Sequence, residues 1–312
     1  MASIRFLRRL YFCGLATLVV LSATRLVAAE PAEKAEPEAP PKPKFVRVEL
    51  DQAGKQVALQ TAITRFVPTD PRNKGLTVDL VAAVHVGDKR YYEACNKEFE
   101  AYDAVLYELV APPGAHIEKG VQPSNHPISV IQNAIKDLLK LDHQLEDIDY
   151  NKANMVHADM SPDEFTQSMK DRGESFWTMF FRLMGESWLR ESKTKANGAT
   201  SDYDLLMALF DKDRALALKR AMSGQIGDLD GGLLSGEEGS TIITERNKVA
   251  LKEMDRQIAA GKKHIAIFFG AGHMADIEKR LTTAHGLKRA SERWLTAWDL
   301  HDGGEKPAAA GK

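Results

Sequence analysis

Three side chains that can bind metal ions or transfer protons stand at or shortly after the ends of apolar runs in the sequence. They are His85, Glu108 and His273. The apolar runs predict β-strands, and in open α/β sheets ligands bind beyond the carboxyl ends of the strands. We therefore expect two imidazoles and one carboxylate to meet at one edge of a sheet.

The two histidines belong to segments that share one pattern. In LVAAVHVG and IAIFFGAGHM an apolar run leads to the histidine, and an amphipathic run and a second apolar run follow. This repeat predicts a unit of strand, histidine, helix and strand near both ends of the folded chain, with His85 and His273 in equivalent places. Gly270 and Gly272 precede His273 and would let the backbone turn sharply and approach a ligand closely.

Each of these residues also has a structural interpretation. A single histidine at a strand end is commonly a residue whose hydrogen bonds are satisfied within the fold, and Glu108 could face solvent by simple strand alternation. If Glu108 is buried, its charge needs a partner. Either a cation or an arginine would satisfy it.

The chemistry that such a cluster supports is metal-assisted hydrolysis. Imidazole nitrogen with carboxylate oxygen suits Mn²⁺, Co²⁺, Fe²⁺ or Zn²⁺, and such an ion activates water and polarises a carbonyl. We predict His85 and His273 as ligands and Glu108 as a ligand or general base. Arg246, at the start of the predicted helix 244–258, would clamp an oxyanion or a substrate carboxylate, although a surface pair Glu245–Arg246 is the alternative. Neither HExxH nor GxSxG occurs in the sequence.

Composition and charge exclude several classes of protein. The 312 residues include 42 Lys and Arg against 44 Asp and Glu, a formal net charge of -2. This balance argues against nucleic acid as a partner, and 44% hydrophobic residues argue against a disordered chain. Only two cysteines, Cys13 and Cys95, are present. They lie far apart, and Cys13 falls in an N-terminal segment that we expect to be removed, so a disulfide scaffold is excluded. We expect Cys95 to be a free structural thiol.

The N-terminus has the pattern of an export signal. Residues 1–29 combine three early arginines, an apolar run and a small-residue site ending at Ala29, as secretory signal peptides do. This predicts a periplasmic or extracellular protein, with membrane contact only if the segment is retained as an anchor. Residues 30–44 are a proline-rich linker. We expect one domain over 45–300 and a disordered tail over 301–312.

The predicted fold class is α/β, with an α+β mixed sheet. Strand–helix–strand units from the two ends are predicted to build the central sheet around a helical middle insert over 127–260. The strand 77–86 is predicted to be central because both of its faces are apolar. Ser161, Pro162 and Glu164 predict a capped helix start. The glycine-rich run 224–239 predicts a lid or connector.

Four strings in this order resemble the TraB/PrgY (GumN-like) family, which includes the Tiki metalloproteases and belongs with the erythromycin-esterase and ChaN-like folds. They are Val84-His85-Val86-Gly87, Tyr107-Glu108-Leu109, Glu245-Arg246-Asn247 and Gly270-Ala271-Gly272-His273.

The resemblance implies two Gly-x-x-His motifs and a divalent metal such as manganese or cobalt. In the first motif, Ala82 replaces the glycine. The family's Asp before its central helices implies Asp159 as an accessory residue, which His157 could join.

The sequence thus predicts an exported metal-dependent, peptidase-like hydrolase that acts on a peptide or small molecule. The alternative is a protein that binds or sequesters such a ligand without turnover, as the resemblance to pheromone-shutdown members implies; the replacement at Ala82 favours it. A third interpretation is haem capture, as in ChaN-like relatives, with Tyr91, Tyr92 and the imidazoles as axial ligands.

Overall fold

The structure, a computed structural model, describes residues 44–112, 142–174, 208, 211–227 and 240–302. All of them belong to one compact unit, Pro43–Lys312. The predicted signal peptide, residues 30–43 of the linker, the tail from 303 and residues 228–239 of the glycine-rich run lie outside the described residues. None of the helices in the described ranges is long and apolar enough to span a bilayer.

Nine strands occur among the described residues. In chain order they are β1 (Val46–Leu50), β2 (Gln56–Pro68), β3 (Thr77–Ala83), β4 (Val86–Gly87), β5 (Ala104–Tyr107), β6 (Asp142–His143), β7 (Met155–His157), β8 (His264–Gly270) and β9 (Leu287–Asp299). Seven of them form one mixed sheet, and β4 pairs antiparallel with β6 in a separate ladder. The α/β fold class is confirmed.

Four neighbouring strands of the large sheet are parallel, in the order β3, β8, β5 and β7. β2 pairs antiparallel with β1 and β3 along one edge and with β9 along the other. The register aligns Ala83 with Gly270 and Tyr107 with both Phe268 and His157. The carboxyl ends of the four parallel strands therefore lie at the same edge of the sheet.

Six α-helices complete the described fold. They are α1 (Lys89–Phe99), α2 (Gln144–Asp147), α3 (Pro162–Asp171), α4 (Arg214–Gly227), α5 (Arg246–Ala259) and α6 (Met274–Thr283). A π-helical turn, Thr241–Glu245, precedes α5, and a 3₁₀ turn, Ala271–His273, precedes α6. The predicted start of α3 is confirmed, because Ser161 and Glu164 cap each other's backbone N–H groups and Pro162 takes the first helical position.

Alternate residues of the strands enter two different apolar cores. Val81, Val105 and Phe268 pack with α1 on one face of the sheet, and their neighbours Leu80 and Leu106 pack with α5 and α6 on the other. Side chains point to opposite faces at successive strand positions, so both sets are buried. This explains why β3, an interior strand as predicted, is apolar on both faces from Leu80 to Ala83.

Several predicted elements need correction. The middle of the chain is not entirely helical, because it supplies β7, which is only three residues long and carries little alternation. The third strand ends at Ala83 rather than at residue 86, and residues 224–227 of the glycine-rich run belong to α4. The two repeat units also differ in their second strands. β5, in the unit that contains His85, pairs parallel with β8, whereas β9, in the unit that contains His273, pairs antiparallel with β2.

Cys95 lies on α1 with no exposed surface and forms no disulfide, as expected of a structural thiol. Burial among apolar side chains raises the pKa of Cys95 to about 12. The thiol form therefore dominates at pH 8, and only the thiolate is nucleophilic.

We predict that native protein carrying Cys13→Ser, whose sole remaining thiol is Cys95, resists alkylation by iodoacetamide at pH 8. Mass spectrometry should detect labelling only after addition of urea, which serves as the positive control. Rapid labelling of the folded protein would contradict the buried, inert state of this thiol.

Candidate functional site

The predicted residues meet at the carboxyl edge of the parallel strands. His85 follows β3 by two residues, Glu108 directly follows β5, and Asp159 follows β7 by two residues. His273 ends the 3₁₀ turn after β8, and Arg246 is the first residue of α5. Four strand ends and one helix start thus supply the five side chains.

Glu108 lies at the centre of this arrangement. Its Oε1 accepts a hydrogen bond from Arg246 Nη2 at 2.7 Å and lies 3.3 Å from His273 Nε2. Its Oε2 accepts the backbone N–H of Gly270 at 2.6 Å. Only 10% of the side chain is exposed. The predicted solvent-facing alternative for Glu108 is therefore wrong, because the strand end turns the carboxylate inward to these donors.

Arg246 joins two carboxylates that come from neighbouring strand ends. Its Nε and Nη2 donate to the two oxygens of Asp159 at 2.9 and 2.5 Å, while Nη2 also donates to Glu108. Burial alone would lower the pKa of Arg246, but the bonds with Asp159 and the charge of Glu108 outweigh it and raise the pKa above its ordinary value. The alternative of a surface pair between Glu245 and Arg246 is wrong, because Arg246 is buried and pairs with Asp159 and Glu108.

These three side chains carry an excess of negative charge. One guanidinium faces two buried carboxylates, so Glu108, Asp159 and Arg246 together have a formal charge of -1. Burial by itself would raise the pKa of Glu108, but His273, Arg246 and His85 outweigh it and hold that pKa well below its usual range. A buried ionised group needs compensation. The cluster therefore favours one more positive charge beside it.

Gly270 leaves a small cradle between the three predicted metal-binding residues. A Cβ at this position would lie 3.2 Å from Glu108 Oε2, 3.6 Å from His85 Nε2 and 3.8 Å from His273 Cδ2. The backbone of Gly270 has φ -51 and ψ 142, angles that other residues adopt. A glycine suits this position because Glu108 lies so close that a side chain here would crowd its carboxylate. The sharp turn expected from the sequence does not require the conformational freedom of glycine. Gly272 lies inside the 3₁₀ turn.

Each histidine has a side-chain amide beside its other ring nitrogen. His273 Nδ1 lies 2.7 Å from Asn247 Oδ1, and His85 Nδ1 lies 3.3 Å from Gln144 Oε1. Sequence reasoning missed both roles. Asn247 carried one signal, its place next to Arg246. Gln144 carried none, because only the fold brings its backbone N–H to the carbonyl of His85 and its Nε2 to the hydroxyl of Tyr150.

Three other residues named from the sequence lie elsewhere. His157 Nε2 bonds the carbonyl of Leu109 at 2.6 Å, and the described contacts do not join it to the cluster. Tyr91 and Tyr92 are buried in the core, where their hydroxyls donate to the carbonyls of Ala82 and Val84. These contacts do not support the tyrosines as haem ligands.

Comparison with known proteins finds no relative of this chain. No family model matches it, and no curated protein or solved structure is detectably similar to it. The resemblance to the TraB/PrgY family therefore stays a prediction, and the interpretation of the site depends on its own geometry.

The imidazole nitrogens and carboxylate oxygens of His85, His273 and Glu108 are atom types that bind divalent cations. One distance between two of these atoms also suits such an ion. His273 Nε2 and Glu108 Oε1 are 3.3 Å apart, close to the roughly 3.4 Å between two ligands of one tetrahedral ion with bonds of about 2.1 Å. Within the described ranges, no group of three or more His, Cys, Asp or Glu side chains is arranged to hold a metal ion. Hydrogen bonds from Arg246 and Gly270 engage both oxygens of Glu108.

We predict that Arg246→Gln lowers the free energy of unfolding by about 3 to 5 kcal/mol, because it leaves two carboxylates buried without their cation. Urea denaturation measures the change. Arg256→Gln is the matched control, since Arg256 is exposed on the same helix and pairs only with Glu253 in the described contacts. It should cost less than about 1 kcal/mol, and equal losses for the two variants would refute a buried ion cluster.

Proposed function

We propose that this protein is a metal-dependent, peptidase-like hydrolase whose centre comprises His85, Glu108 and His273. The observation that carries the proposal is the convergence at Gly270, where a Cβ would lie 3.2 Å from Glu108 Oε2, 3.6 Å from His85 Nε2 and 3.8 Å from His273 Cδ2. The excess negative charge of the cluster favours a cation, and its nitrogen and oxygen donors suit Mn²⁺, Co²⁺, Fe²⁺ or Zn²⁺.

A divalent ion held there would lower the pKa of a bound water towards about 7 and polarise a substrate carbonyl. The chain's own residues have distinct parts in this proposal. His85 presents Nε2 to the cradle, His273 Nε2 lies 3.3 Å from Glu108 Oε1, and Glu108 is a ligand or a general base. Hydrolysis of a peptide, amide or ester bond is the reaction class that follows.

The sequence predicts that Arg246 clamps the substrate. We assign it a structural role within the site instead. Its Nε and Nη2 are engaged by Asp159 and Glu108, so its contacts favour fixing the position of Glu108. Asp159 then acts as the accessory residue that holds Arg246 in place. Ala82 is compatible with this proposal, because it lies buried within β3, paired with Phe269, where alanine fits an ordinary strand.

The proposed substrate is a peptide or small molecule met outside the cytoplasm. The predicted signal peptide supports export, and the balance of charges offers no attraction for nucleic acid.

Binding of a ligand without turnover is the second candidate. It is favoured by the state of Glu108, whose two oxygens accept hydrogen bonds from Arg246 and Gly270. A carboxylate held in this way is poorly placed to accept a proton from water.

We predict that purified protein binds close to one equivalent of Mn²⁺ or Co²⁺ and that the loaded protein cleaves peptides. Replacing His273 by Ala should remove metal binding and lower kcat/KM by at least about a hundredfold. Metal analysis and a fluorogenic peptide library measure the two effects. The control is His264→Ala, which removes an exposed histidine from the first position of β8, the strand that leads to His273.

Peptide cleavage that persists both in chelator and in His273→Ala would reject the metallohydrolase. Binding of a library peptide without its cleavage would instead support the second candidate.

A further prediction concerns the cradle itself. Gly270→Ala should leave the fold intact, because its backbone angles suit alanine, yet weaken Mn²⁺ or Co²⁺ binding by at least about tenfold, since the new methyl group occupies the space between the ligands. Calorimetric titration measures the affinity. Gly54→Ala, strained by a φ of 80° in an exposed turn, should lower stability without changing the affinity.

A further inference from the structure

Asn247 is completely buried and forms three hydrogen bonds around the loop that carries His273. Its Nδ2 donates to the backbone carbonyl of His273 at 3.2 Å and to Asp276 Oδ2 at 2.8 Å. Both partners are acceptors, so this end of the amide must be the NH₂ group. The orientation of the amide is therefore fixed by its surroundings, and Oδ1 is the atom that faces the imidazole.

An amide oxygen only accepts hydrogen bonds, which determines the state of the ring. Because Asn247 Oδ1 lies 2.7 Å from His273 Nδ1, that nitrogen must carry the hydrogen. Glu108 Oε1, 3.3 Å from His273 Nε2, is a competing acceptor, but it lies farther from the ring than Asn247 Oδ1. In a neutral imidazole the hydrogen therefore stays on Nδ1, and Nε2 keeps its lone pair.

We propose that Asn247 is a positioning residue that locks His273 in the Nδ1–H tautomer and leaves the lone pair of Nε2 on the side that faces Glu108. The reason for such a lock rests on the proposed function. A histidine that binds a metal ion through one ring nitrogen is a better ligand when an acceptor holds the N–H of its other ring nitrogen. Asp276, held in turn by Arg280 at 2.8 Å, keeps the amide from rotating.

The second histidine lacks an equivalent lock. Gln144 Oε1 lies 3.3 Å from His85 Nδ1, and its Nε2 contacts the hydroxyl of Tyr150. A hydroxyl both donates and accepts, so this contact permits either orientation of the amide and either tautomer of His85. The two imidazoles of the site therefore differ, with His273 fixed and His85 able to exchange its proton position.

Long-range ¹H–¹⁵N spectra of the metal-free protein at alkaline pH, where imidazoles are neutral, test the tautomer directly. The His273 signals are assigned by their loss in His273→Gln, because the chain has nine histidines. We expect the Nδ1–H pattern for His273 in the unaltered protein. An Nε2–H pattern there would overturn the proposal without any need for an Asn247 variant.

Two variants extend the test. Asn247→Ala should release His273 into a mixture of tautomers and weaken Mn²⁺ or Co²⁺ binding by about ten- to a hundredfold. The exchange Asn247→Asp with Asp276→Asn should restore the Nδ1–H pattern, because a carboxylate also accepts from Nδ1–H while the new amide donates to it. An unchanged tautomer in Asn247→Ala would overturn the proposal.

Asn96→Ala is the matched control, because Asn96 is another amide bonded to backbone groups, at Asp147 and Asp149, and should change neither the His273 spectrum nor the affinity. If the unaltered protein binds no metal at all, the proposed function fails, while the tautomer measurement still decides the part played by Asn247.

Discussion

The site depends on the ion cluster in which one guanidinium joins two buried carboxylates. Glu108 and Asp159 extend from the ends of β5 and β7, neighbouring strands whose carboxylates would repel each other at close range, and Arg246 from α5 lies between them. Removing a partner from such a cluster costs several kcal/mol. The cluster therefore fixes the helix to the sheet edge and holds Glu108 where the histidines meet it.

The two faces of the sheet contribute differently to this edge. α1 and its aromatic residues cover one face, while α5 and α6 cover the other and bring Arg246, Asn247 and His273 to the strand ends. Catalytic and binding groups gain precision when rigid elements carry them. Here every group of the cluster is within three residues of a strand or helix terminus, so the packing of both cores determines its position.

The sequence allowed the main strands and the three central side chains to be predicted, because long apolar alternation marks strands and polar residues at strand ends stand out from it. His85, Glu108 and His273 were found on this basis. β7 was missed because three residues carry no periodic signal. Gln144 and Asn247 were missed as partners of the imidazoles because such contacts depend on register and side-chain rotamers, which one sequence does not encode in any local pattern.

The position of β8 has a consequence for how this chain folds. β3 and β5 come early in the chain, yet the described residues give them no direct pairing; β8, from far along the chain, inserts between them. Pairings of such long sequence separation form slowly and leave strand edges open until they close. A nascent chain that stops short of β8 has two halves of a sheet and no cradle. Synthesis must therefore proceed past β8 to His273 before the cradle can form.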